Sequence, residues 1–249
     1  MRLRITKPMT EPIPMYIYRN QTDFSDATGY EKPGHILGRA STKGYIDLDS
    51  SGILAPAGQI AGHEIVHVLV FHILEGDASL LPLWVNEGTA KLMTKDWDTV
   101  DAATLADAAT NASLLPLSTL DHRFPSGSKE TLAYAESASA VKYFVDKYGE
   151  ESLAELIHKT AETGSFEKAM MEVAGVSVHD FERKWQRKVE GYHPFLQIIR
   201  TVAVIGGLAM PLLAIAAYLA LRRRKQRIIE QYEQDEWEEA NWRDWGGGS

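Results

Sequence analysis

The 249-residue chain carries 26 basic and 34 acidic side chains, a net charge of −8, and this excludes the basic surface that a nucleic-acid binder needs. It has no cysteine, which rules out disulfides, thiolate-held zinc and a lipidated cysteine anchor. The length suits one medium-sized domain plus extras, and 45% apolar content is ordinary for a globular protein with one membrane segment.

Residues 1–13 are broken by prolines, show little periodicity and read as an arm or the end of an upstream segment. Met15-Tyr16-Ile17-Tyr18 has the β-branched and aromatic character of a strand. Residues 20–35 are polar and glycine-containing, a predicted loop. Ile36–Arg39 and Gly44–Leu48 read as two strands joined by a turn at Ser41-Thr42-Lys43-Gly44, with Gly44-Tyr45-Ile46-Asp47 as the sheet edge beside the next helix.

Residues 56–74 form the predicted helix that carries the chemistry. His63-Glu64-Ile65-Val66-His67 places two imidazoles four residues apart, on one helical face. Ile60, Ala61, Val68, Leu69 and Val70 surround them, so the helix reads as buried nearly all round. Two histidines and a glutamate are costly in such a helix unless they have partners, and a metal ion supplies one. Glu64, one residue on from His63, can reach a metal-bound water rather than the metal. Glu87 lies on a second helix, 83–95, 20 positions after His67, and completes three protein ligands. Three ligands with one position open is the composition of a catalytic zinc site. The expected set is therefore Zn²⁺ on His63, His67 and Glu87, with Glu64 as general base.

Further helices are predicted over 98–111, 130–148, 150–162, 165–174 and 178–190, with a loop over 112–130 that walls the cleft. Phe181, Trp185 and Val189 share one face of the last and read as core. Strands first and helices after give an α+β domain over residues 14–195.

Residues 201–221 carry no charge, and Arg222-Arg223-Arg224-Lys225 follow. A run of that length spans a bilayer core of about 30 Å as a helix, so 198–221 is read as one transmembrane segment. The basic stop orients the tail, 222–249, to the cytoplasm and the catalytic domain to the extracytoplasmic side. Residues 1–18 hold no apolar signal-peptide core, so this orientation carries the expectation that the natural N-terminus lies upstream. Within the tail, residues 230–244 hold seven acidic side chains, interleaved with Trp237 and Trp242.

The motifs together resemble the gluzincin metallopeptidases. Leu83-Trp84-Val85-Asn86-Glu87-Gly88-Thr89-Ala90 is similar to the W-L-N-E-G-x-A run of the aminopeptidase-N-like branch, while the 20-residue offset is closer to the thermolysin-like branch. The nearest likeness is to the bacterial peptidase MA-like domain. It rests on Leu115-Pro116-Leu117, on Phe124-Pro125, on Tyr134-Ala135-Glu136-Ser137, and on Val141–Gly149 as a helix end, and covers roughly residues 14–190. The resemblance implies a small mixed or antiparallel sheet followed by a mostly helical, thermolysin-like zincin core that hydrolyses peptide or protein substrates. It also implies that Tyr134 donates to the oxyanion, and that the sheet edge binds an extended substrate by backbone pairing, which makes Gly44, Tyr45 and Ile46 candidate substrate-binding residues. Two departures bear on function. The G-x-M-E-N strand that captures a free amino terminus is missing, which favours an endopeptidase. Lys91 stands where the thermolysin branch has an aspartate that orients a ligand histidine. The rival reading is a non-catalytic, zinc-stabilised ectodomain that binds a peptide or partner, which leaves Glu64 without a purpose.

Overall fold

The computed structural model describes residues 2–29, 37–51, 57–191 and 218–219. Its domain is mostly helical with one three-stranded sheet, an α+β build. Strand β1 is Met15–Tyr18, β2 Gly38–Ala40 and β3 Ile46–Asp49. The order is β1-β3-β2. β3 pairs parallel with β1 (Met15 opposite Ile46) and antiparallel with β2 (Arg39 opposite Asp47). The expected edge strand is therefore the central one. Gly44 sits in the turn before it, Tyr45 enters it, and Ile46 is fully buried. Two short strands joined by a turn look alike in sequence whichever has a second neighbour, and here β1 supplies that neighbour by parallel pairing. The edge strand that packs on the histidine helix is β2, where Gly38 meets Ile60 and Glu64.

β3 alternates Ile-Asp-Leu-Asp, and both faces are covered. Ile46 and Leu48 meet Val68 of the histidine helix. On the other face Asp47 is only 3% exposed. It is satisfied by the Arg39 guanidinium at 2.6 Å and the Tyr18 hydroxyl at 3.1 Å.

The segment read as a loop after β1 contains helix α1, Gln21–Thr28. Asn20 caps it by accepting from the Asp23 N–H, and Gly29 ends it in the left-handed region. Phe24 is its one buried apolar residue, set edge-on to Tyr18. One anchor in eight residues leaves no helical period to read. The remaining helices are α2 Ala57–Ile73, α3 Leu83–Thr94, α4 Thr99–Thr110, α5 Ser128–Tyr148, α6 Glu150–Thr163, α7 Phe166–Ala174 and α8 Val178–Gly191, within a few residues of expectation. The 112–130 loop contains a 3-10 turn, Leu117–Leu120. α2 stops where Glu75 and Gly76 turn to positive φ.

The helices share one core in which Val70, Trp84, Val141, Phe144, Leu156, Phe181 and Trp185 are almost wholly buried. The arm belongs to it as well. Leu3 is 4% exposed, the Arg4 carbonyl accepts from His158 Nε2, and the Lys7 carbonyl accepts from His72 Nε2.

Among the described residues no helix is long and apolar enough to cross a membrane. The expected span and tail lie outside those residues, apart from helical Tyr218 and Leu219.

Candidate metal centre

α2 and α3 bring together the three residues expected to hold a metal. The ligand atoms of His63, His67 and Glu87 all lie within 4.8 Å of one another. Glu87 Oε2 is 3.2 Å from His63 Nε2 and 3.5 Å from His67 Nε2, and the two rings sit edge-to-face at 4.7 Å. Helical spacing aligns the imidazoles, and α3 crosses α2 where Glu87 meets both.

The Trp84–Gly88 run explains itself residue by residue. Trp84 is 2% exposed and stacks on Phe181, anchoring the start of α3. Asn86 Oδ1 lies 3.0 Å from His67 Nδ1 and accepts its proton, which leaves His67 Nε2 facing the cluster. Gly88 lets α3 touch α5: a Cβ there would fall 2.3 Å from the Ser137 carbonyl oxygen. Asn86 was not among the expected site residues, although its place directly before Glu87 was the signal. Lys91 turns away from the histidines and pairs with buried Asp101 at 2.9 Å.

The electrostatics follow from burial and pairing. Burial by itself drives the His67 pKa down, but the Glu87 carboxylate outweighs it and sets the value at about 9. Burial pushes Glu87 up, and the two imidazoles, His67 foremost, bring it to about 2. Both groups are thus arranged for opposite charges at close range. Two imidazoles and a carboxylate, one donor short of zinc's usual four and with His67 already oriented by Asn86, fit a catalytic zinc ion.

Glu64 is 8% exposed and does not join the cluster. Its pKa is raised, chiefly by burial, against the pull of His67 and His63. The Ala40 backbone N–H donates to its carboxylate. That contact ties Glu64 to β2. Leu37 and Ser41 make backbone bonds to β3, so by antiparallel alternation Gly38 and Ala40 present theirs outward. Gly38 is needed for the fit, because a Cβ there would lie 2.8 Å from both Cγ and Oε1 of Glu64.

Tyr134 comes from α5 and lies within reach of the Glu87 charge. Burial, then the negative charges of Glu87, Glu130 and Glu64, raise its pKa, so its hydroxyl stays protonated. Phe124 braces the ring edge-on at 4.9 Å. The structure therefore brings His63, His67 and Glu87 together, with Glu64 and Tyr134 within electrostatic reach of Glu87. It leaves Ile46 in the sheet, Tyr45 just before it and Gly44 in the turn.

A mostly helical α+β domain with two imidazoles and a carboxylate converging from packed helices has the build of a metallopeptidase-like domain. The chain belongs to the Peptidase MA superfamily, whose family model matches residues 4–191. A 121-residue stretch is 28% identical to a protein of Bacillus subtilis (strain 168) described as "Uncharacterized protein YhcO". That alignment covers 47% of this chain and 35% of the relative, so the likeness spans about a third of the relative's length. No solved structure matches the chain.

Proposed function

We propose that this domain is a zinc-dependent peptidase that cuts within peptide chains. The observation that carries the reading is buried Glu64, held at the sheet edge beside the three-donor cluster but outside it. A partner-binding module stabilised by zinc has no need of a carboxylate kept out of the ligand set and raised in pKa by burial.

A zinc ion on His63, His67 and Glu87 would supply Lewis acidity, acidifying water and polarising a carbonyl. The chain's own residues do the rest. The outward N–H and carbonyl of Gly38 and the outward carbonyl of Ala40 hold an extended peptide along β2, replacing the edge first expected at Gly44–Ile46. Glu64 accepts the proton of the attacking water and delivers it to the leaving nitrogen; its raised pKa brings it closer to the value such a shuttle needs. Tyr134, kept protonated, donates to the oxygen that gains charge. In the same reading residues 201–221 anchor the chain, with the peptidase domain on the extracytoplasmic side.

Glu64→Gln tests the assignment. The variant should bind zinc with unchanged stoichiometry and lose at least about 100-fold in peptide hydrolysis. Hydrolysis at the wild-type rate would remove Glu64 as the base.

A further inference from the structure

A cavity of about 440 Å³ opens at the C-terminal half of α2, away from the ligand cluster but on the same line of the helix. Phe71 links the two: it lines the cavity and stacks on the His67 ring at 6.2 Å and 16°. The other walls come from three places, the arm (Lys7), the β2–β3 turn (Thr42, Lys43, Gly44) and the end of α2 (Glu75). Phe71 follows Glu64 by seven residues, about two turns, so it sits near the same helical face and about 10 Å further on.

β2 and its turn run in the same direction as α2. Gly38 lies against Ile60 and Glu64, and the Thr42 carbonyl lies 3.6 Å from where a Gly76 Cβ would be. A peptide paired antiparallel to β2, the more stable mode per residue, would enter over the turn and travel toward Glu64. At about 3.3 Å per residue, its side chain over the cavity stands about three residues before the bond beside Glu64.

The charges there are two lysines and one glutamate. Lys7 and Glu75 pair loosely at 3.6 Å, both about three-quarters exposed. Lys43 is exposed and has no ion pair among the described residues. His72 is engaged with the Lys7 carbonyl and holds the arm in place. A local positive excess in a chain of net charge −8 selects anions.

We propose that this cavity is a distal substrate subsite that takes an aspartate or glutamate side chain about three residues N-terminal to the cleaved bond, with Lys43 as the selecting charge. The proposal rests on the peptidase reading above and adds a substrate class to it.

Cleavage-site profiling of the zinc-loaded full chain on a peptide library tests it, with wild type and Lys43→Glu in parallel. Lys43 lies in an exposed turn, so folding is preserved. Wild type should favour acidic residues two to four positions before the cut by roughly three- to fivefold, the strength of a partly exposed ion pair. Lys43→Glu should erase or invert that preference. Cleavage without an acidic preference there, or with one unchanged by Lys43→Glu, overturns the subsite. A binding arm separates the two claims. Fluorescent peptides with an N-terminal half rich in Glu or in Gln are titrated onto zinc-loaded Glu64→Gln and onto the double variant with Lys43→Glu. Tighter binding of the Glu peptide, lost with Lys43→Glu, supports the subsite even if wild type cuts nothing. Equal binding of both peptides counts against it.

Discussion

An imidazole nitrogen cannot hold a proton and a metal at once, and at His67 the two compete. Glu87 lifts its pKa to about 9, so at neutral pH the incoming ion must displace a proton. Zinc affinity should therefore rise about tenfold per pH unit from neutrality to about pH 9 and level off above it, with about one proton released per zinc bound. Calorimetry in buffers of different ionisation enthalpy measures both, and a flat profile would contradict the pairing. Asn86 is the second residue-scale test. Asn86→Ala removes the acceptor at His67 Nδ1 and should weaken zinc binding by 10- to 100-fold with the fold intact. Glu136 is the third. It is fully buried, one oxygen accepts from the Leu115 N–H, the other has no partner among the described residues, and burial raises its pKa to about 8. A carboxyl with a raised folded pKa binds its proton in the native state while the unfolded chain has released it. Between about pH 4.5 and 8 stability therefore falls as pH rises. Thermal melts of wild type and Glu136→Gln at pH 5 and pH 8 should show that fall, roughly a few kcal/mol, in wild type alone.

At the scale of elements, the two close approaches that build the site are both made by glycine. Gly88→Ala drives a methyl group into the Ser137 carbonyl and separates α3 from α5, at a cost of about 1–3 kcal/mol and with weaker zinc binding, because Glu87 moves with α3. Gly38→Ala acts differently. The methyl meets the Glu64 side chain, so hydrolysis should fall steeply while zinc content stays at the wild-type level. The glycines also mark how far the sequence could be read. The helices of the site, their lengths and the convergence of three side chains followed from period and spacing, since His63, His67 and Glu87 each carry their position in the pattern. The edge strand did not, because both segments read as short strands and only the parallel pairing with Met15–Tyr18 decides which is central. Helix α1 hid behind its polarity, having only Phe24 to bury. The arm hid because Leu3 is one apolar residue whose burial depends on partners distant in sequence.

For the molecule as a whole, the His63–His67–Glu87 cluster ties α2 to α3, and with it the sheet side of the domain to the helical core. Ligand binding to the native state alone raises stability by about 2.7 kcal/mol at a hundredfold excess over Kd. Zinc should raise Tm and a chelator should lower it, reversibly. The measurement closest to the central claim is zinc stoichiometry by elemental analysis of wild type, Glu64→Gln and Glu87→Ala after equilibration with a slight excess of zinc and desalting. Wild type and Glu64→Gln should each hold one zinc per chain, and Glu87→Ala should lose most of it. A full zinc complement in Glu87→Ala, or none in wild type, would contradict that claim.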